Sequence, residues 1–210
     1  MSEIFDFFLN AYQTTPTSFI IIEAIAFVFG IVSVWYAKKE NILVYPTGLV
    51  ATIITVYLLY KAEYFGDMMM NFYYSVMSIY GWWNWSRKKD EKIVVPISRI
   101  NNREKVIGFI LFVATVTITY LVYKYYGYEI KTENYIDIFT SGVFFTAMWF
   151  MANKKLENWT LWIFADLITV PLYAYRGLGM LSLQYLIFTI LAVQGYITWK
   201  KNLGKNPSIL

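Results

Sequence analysis

Long apolar runs alternate with short polar clusters along the chain, and whole helical turns pass without a charge. A soluble helix would instead carry Lys and Glu along its outer face to solvate it. Apolar stretches matching the roughly 17 to 25 residues of a bilayer-spanning helix lie at about 18–37, 42–60, 68–86, 105–126, 137–153, 159–175 and 180–199. The pattern predicts an all-α integral membrane protein with seven transmembrane helices. Asn153, Asn158 and Asp166 border or interrupt the fifth and sixth spans. Composition agrees, since 58% of residues are hydrophobic and 15% charged, with the charges gathered between the apolar runs.

Those charges fix a direction. With alternate loops assigned to one side, that side receives Lys38, Lys39, Arg87, Lys88, Lys89, Lys92, Arg99, Arg103, Lys105, Lys154, Lys155, Lys200, Lys201 and Lys205, which is 14 of the 18 basic residues. The other side holds Lys61, Lys124, Lys131 and Arg176. The positive-inside rule then places the N-terminus outside and the C-terminus in the cytoplasm. The isoelectric point near 9.0 follows from this topology and not from a nucleic-acid-binding face. The segment before the first span carries Glu3 and Asp6 but no Lys or Arg, so it lacks the basic region of a signal peptide and span one is expected to be retained.

The first two repeated features set Glu40-Asn41 against Glu157-Asn158, a shift of 117 that places Tyr45 on Trp162 and Gly48 on Ala165. Gly81 and Trp85 fall on Gly195 and Trp199 with a shift of 114, which implies a shorter outer loop in the second repeat. Two three-helix units of the same polarity require an extra span between them. The organisation is thus one transmembrane domain with repeat one at about 18–86, a linking helix at about 105–126 and repeat two at about 137–199. Such parallel repeats, related by a pseudo-two-fold axis along the membrane normal, let transporters place a substrate site between their halves.

Polar residues inside spans mark candidate function. Trp159, Trp162 and Asp166 stand at i, i+3 and i+7 and share a helix face. A carboxylate facing lipid costs about 2.5–3.5 kcal/mol on insertion scales, so Asp166 should face the interior. Two indoles beside it favour a flat cationic ring by stacking and cation–π attraction. Two other readings stand: Trp159 as part of an interfacial belt, and Asp166 as a structural partner of a Tyr or Asn on a neighbouring helix. Pro171 removes a backbone hydrogen bond and leaves a carbonyl free near the site. Asn71, Ser75 and Ser78, with Tyr74 alongside, form a polar stripe in span three, and Gln184 adds a polar group in span seven. Asn41 and Tyr45 open span two as Asn158 and Trp162 open span six. Glu23 lies close to the outer end of span one and is set aside. The cluster Trp82-Trp83-Trp85 reads as an interfacial anchor.

The absence of cysteine and histidine excludes thiolate chemistry and His-ligated metals, and no cofactor is expected. Walker, H-E-x-x-H and G-x-S-x-G motifs are absent too, which argues against an enzyme. A seven-span receptor fits less well, because the segment 87–104 is short and the repeat has no evident role there.

The stretch from Glu40-Asn41 through Pro46 and Gly48, then Tyr64-Phe65-Gly66-Asp67-Met68 with Asn71, Tyr74, Ser78, Gly81 and Trp85, and later Glu157-Asn158-Trp159 with Trp162, Asp166 and Pro171-Leu172-Tyr173, resembles the PnuC-type vitamin transporters. The resemblance covers about residues 18–200. It implies a seven-helix fold related to SWEET-type sugar transporters, carrying nicotinamide riboside into bacteria by facilitated diffusion with trapping by an intracellular kinase. It further implies a homotrimer, and Trp159 and Trp162 flanking the nicotinamide ring while polar groups on spans two, three and seven hold the ribose. Thiamine carriers of the PnuT branch share the resemblance, and both substrates present a cationic aromatic ring.

Overall fold

The computed structural model describes residues 12–13, 15–61, 65–89, 92–93, 95–125 and 130–203. Glu3, Asp6, Tyr64 and Lys205 lie outside these. Among the described residues seven long helices follow in order: α1 (Thr17–Lys38), α2 (Val44–Lys61), α3 (Phe65–Ser86), α4 (Asn102–Tyr125), α5 (Thr132–Ala152), α6 (Glu157–Tyr175) and α7 (Gly179–Asn202). A two-residue ladder, β1 (Lys88–Lys89) with β2 (Lys92–Ile93), interrupts the connection between α3 and α4.

Local sequence explains the helix boundaries. Pro46 occupies the first turn of α2, where its missing N–H has no intrahelical partner to lose. Asn41 Oδ1 accepts from the Leu43 N–H at 2.9 Å and caps the same helix. Asn101 and Glu104 exchange side-chain and backbone bonds of 2.9 Å, a reciprocal box that starts α4. Helix α5 begins at Thr132, five residues before the expected 137, where Asn134 Oδ1 accepts from the Lys131 N–H at 3.0 Å and caps it; Asp137 within the helix pairs with Arg176 at 2.6 Å.

Six helices form a closed ring. α1 packs on α2 and α2 on α3, while α5 packs on α6 and α6 on α7; the ring closes through α3 on α5 and α7 on α1. α4 stands outside this ring against α5. Sandwiched in this way, α5 is buried almost continuously from Ile138 to Ala152. Polarity is inverted relative to a soluble protein. Ile53, Phe109 and Ile118 are 58%, 67% and 62% exposed on the outside, while Asn158 and Asp166 are buried within, as a hydrocarbon solvent requires.

By length and hydropathy α1, α2, α4, α5 and α7 can each cross a membrane. The polar load expected of spans five and six falls instead on α3 and α6, which carry Asn71, Ser75, Ser78 and Asn84, and Asn158 and Asp166, respectively. These two helices depend on the ring around them.

The shift between repeats is 114 throughout, which corrects the 117 drawn from Glu40-Asn41 and Glu157-Asn158. Glu40 and Lys154, 114 residues apart, both have positive φ, at 57° and 51°. Each ends its helix in the same turn: the Asn41 N–H reaches Tyr36 O and the Lys155 N–H reaches Phe150 O, both six-to-one bonds. A left-handed conformation costs a non-glycine residue roughly 1–2 kcal/mol. The matched Glu-Asn dipeptides are a coincidence of composition, because Asn158 stands where repeat one has Val44, Trp162 where it has Gly48, and Asp166 where it has Thr52. No shortened loop is needed, since α3 and α7 start in the same register.

The connection into α4 straps repeat two. The Ser98 N–H donates to Lys154 O at 3.1 Å, the Leu156 N–H donates to Ser98 O at 2.9 Å, and Ile97 is buried. Glu157 accepts from the Ile100 N–H at 3.0 Å, and Lys155 pairs with Glu104 at 2.8 Å.

Candidate functional site

The ring interior has two levels. At the end bearing most of the basic loops, the basic end, four aromatic residues form a floor. Tyr45 lies over Gly81 and meets Trp85 edge-on at 5.1 Å; Trp159 lies over Gly195 and meets Trp199 edge-on at 5.4 Å. Trp85 and Trp199 touch across the middle at 5.9 Å. The glycines are required here, since a Cβ at Gly81 would come within 2.3 Å of the Tyr45 ring and one at Gly195 within 2.7 Å of Trp159.

The floor is sealed around its rim. Trp199 Nε1 donates to Ala37 O at 3.0 Å and Lys38 Nζ to Gln194 at 2.8 Å, which close α7 on α1. Asn84 donates to Ala152 O at 3.0 Å and Tyr80 to Asn153 at 3.2 Å, which close α3 on α5.

The second level lies about one to two turns deeper along α6, at 1.5 Å per residue. Trp162 from α6 stands 5.4 Å from Phe144 of α5 and 6.3 Å from Tyr74 of α3, and Phe144 stands 5.9 Å from Tyr185 of α7. Four helices thus contribute one ring each. Asp166, one turn beyond Trp162, is 1% exposed, and its Oδ1 has no hydrogen-bond partner among the described residues. Gln184 reaches α1 at Gly30, where a Cβ would stand 3.2 Å from its amide nitrogen. In repeat one the position of Asp166 is Thr52, which accepts from Ser75 Oγ at 2.8 Å. Equivalent framework positions therefore carry different chemistry.

The structure separates the sequence-derived candidates between these levels. Trp162, Asp166, Tyr74 and Gln184 belong to the deeper one, with Asn71 one turn from Ser75 on α3. Tyr45 and Trp159 are floor residues, so Trp159 and Trp162 meet different rings, although they share a helix face and Trp162 also borders the floor cluster. Asn158 is fully buried and donates to Lys155 O at 2.6 Å. Asn41 is exposed and its side chain caps α2, which gives it a structural task. Trp82 and Trp83 are exposed as an anchor would be, at 42% and 60%, but Trp85 is buried in the floor. Phe144 and the Glu40–Lys154 pair were not singled out from sequence. The 114-residue register alone could have drawn attention to the pair.

At the opposite end a cavity of about 180 Å³ opens between α1 and α7, lined by Glu23, Thr15 and the turn at Gly177–Leu181. Tyr12 donates to Glu23 at 2.7 Å, and burial together with that bond pushes its hydroxyl pKa up.

Residues 20–201 match the family described as Nicotinamide mononucleotide transporter. A protein from Escherichia coli (strain K12) named nicotinamide riboside transporter PnuC is 24% identical over 201 residues, covering 85% of this chain and 84% of its own. A PnuC of the same description from Neisseria mucosa is 25% identical, covering 85% and 71%. The riboflavin/roseoflavin transporter RibM of Streptomyces davaonensis is 27% identical over 127 residues, covering 59% and 58%. The crystal structure of the vitamin B3 transporter PnuC aligns with a TM-score of 0.67 and 25% identity, over 86% of this chain and 80% of that one. These relatives are transporters, not enzymes. With its ring of membrane helices and its aromatic interior, the chain belongs to the nicotinamide mononucleotide transporter family of multi-pass membrane transporters.

Proposed function

We propose that the chain takes up nicotinamide riboside by facilitated diffusion across the bacterial cytoplasmic membrane, with its basic end in the cytoplasm and a cytoplasmic kinase trapping the substrate. The observation that carries this reading is the cage of Trp162, Phe144, Tyr74 and Tyr185 beside the unpaired, buried carboxylate of Asp166. The nicotinamide of the riboside is a pyridinium, an aromatic cation suited to ring faces and a counter-ion. In this reading Gln184, beside the cage residue Tyr185 on α7, and Asn71, one turn before Ser75 on α3, supply the polar groups that hold the ribose.

Interior charge favours the nucleoside over its phosphate. Among the described residues Lys154 and Asp166 are the buried charged groups, and Lys154 is already held by Glu40 at 2.7 Å. A phosphate would meet a carboxylate and, among the described residues, no buried cation that is free. The names of the PnuC relatives agree with the riboside. The orientation rests on the positive-inside rule, and uniport and the trimer rest on the family resemblance.

Calorimetry of the purified protein with nicotinamide riboside, nicotinamide mononucleotide and thiamine tests the substrate. The riboside should bind most tightly, and tighter thiamine binding would move the chain to the thiamine branch. In proteoliposomes the riboside should equilibrate without any ion gradient and accumulate only when kinase and ATP are enclosed. Uptake that required an imposed gradient would overturn the uniport. Native mass measurement in detergent should give three copies.

A further inference from the structure

We propose that Glu40 and Lys154 are the gate of the pathway at the basic end. They hold equivalent positions in the two repeats, and Lys154 Nζ reaches Glu40 Oε1 at 2.7 Å, so the ion pair spans the pseudo-two-fold axis and joins the α1–α2 turn to the α5–α6 turn. Lys154 is 2% exposed, and its ammonium stands 4.6 Å from the centre of the Trp85 ring. The pair therefore presses on the floor where Trp85 meets Trp199. A substrate leaving the deeper cage through this end must pass between those rings, and they cannot part while the two turns are tied.

The residue types suit a switch better than a rivet. Both turns impose a left-handed backbone that glycine would adopt without strain, yet both carry long charged side chains. A buried ion pair gains little over an apolar pair while closed, because desolvation opposes the Coulomb attraction. Opening returns both ions to water together, so neither is left buried alone. Closed and hydrated states are thereby brought close in free energy, as alternating access needs. The two turns are held unequally. The α5–α6 turn is strapped by Ser98, whereas no equivalent strap binds the α1–α2 turn among the described residues, so the α1–α2 side is the part that moves. A gate here rests on transport through the ring and serves whichever vitamin is carried.

The chain contains no cysteine, so Met77→Cys in the floor cluster supplies a single reporter for a membrane-impermeant maleimide. Labelling is read in inside-out and right-side-out vesicles without substrate. Glu40→Gln leaves the buried Lys154 ammonium unpaired and should speed labelling about tenfold or more, and Lys154→Met, which leaves the half-buried Glu40 carboxylate free to hydrate, should speed it by a smaller factor. The double variant Glu40→Met/Lys154→Met has no ions to hydrate and should be slower than the parent in both labelling and transport, with substrate affinity unchanged. The charge swap Glu40→Lys/Lys154→Glu should return labelling toward the parental rate. Single and double neutralisations that shift labelling in the same direction, or singles that leave it unchanged, overturn the gate. Which vesicle orientation labels reads the sidedness of the basic end separately, and calorimetry of the same variants reads the substrate assignment.

Discussion

Tyr45 and Trp159 are the same position of the fold in two repeats. Each packs against a glycine of the third helix of its unit, Gly81 or Gly195, and each meets edge-on the tryptophan one turn further along that helix. Gly81→Ala and Gly195→Ala should therefore destabilise alike, since neither ring can retreat from a buried floor. Overpacking of this kind costs about 1–3 kcal/mol. Thermal unfolding in detergent checks it, with Gly48→Ala as the comparison: there the added Cβ meets first the Ser33 hydroxyl, at 2.9 Å, a small group whose displacement costs one hydrogen bond, to Val44 O, and no ring clash. A Gly48 variant as unstable as the other two would contradict the equivalence.

Helix number and the three-one-three arrangement were legible because apolar run length reports them directly, in a solvent that tolerates few charges. The register of the repeat was not. Glu-Asn recurs by chance, whereas the true correspondence sets Glu40 on Lys154 and Tyr45 on Trp159, pairs with no chemical likeness. What they share is a backbone conformation and a glycine opposite, which only the folded chain reveals. Trp85 was grouped with Trp82 and Trp83 for a similar reason: adjacent residues leave a helix in different directions, and only the packing of α3 against its neighbours shows which one turns inward. The inward direction of Trp162 and Asp166 was legible, because an acid within an apolar span is too costly to face lipid and carries inward the indole one turn before it.

Trp162→Ala should weaken riboside binding by about 1–3 kcal/mol through lost stacking and cation–π attraction, measured by calorimetry. Asp166→Asn keeps the shape and removes the charge. It should weaken the cationic riboside while leaving an uncharged reduced analogue nearly unaffected. Equal losses for both ligands would make Asp166 a packing residue.

The strap on repeat two should be visible in hydrogen exchange. The Leu156 and Ser98 amides are paired between the linker and the α5–α6 turn. They should exchange more slowly than Glu40 and Asn41, whose amides bond only within their own turn. Glu157→Gln weakens the bond to the Ile100 N–H and the ion pair to Arg99, which spans 3.6 Å. Protection at Ser98 and Leu156 should then fall while the α1–α2 turn is unchanged. Equal protection of both turns in the parent would remove the asymmetry on which one-sided movement rests.

Gly30 tests the place of Gln184. A Cβ there would stand 3.2 Å from the Gln184 amide nitrogen and 3.5 Å from the Phe188 ring, so Gly30→Ala displaces the end of a flexible side chain and not the backbone. Stability should change by less than about 1 kcal/mol. If Gln184 holds the ribose, affinity for nicotinamide riboside should fall by the worth of about one hydrogen bond, roughly 0.5–1.5 kcal/mol. N-methylnicotinamide carries the same cationic ring without the sugar, so its binding should be unaltered. Gln184→Ala should reproduce this selective loss, and adding Gly30→Ala to it should cost nothing more, because the displaced group is already gone. Parallel losses for both ligands would place the effect in the aromatic cage, through Phe188 and its neighbour Tyr185, whose rings stand 5.9 Å apart.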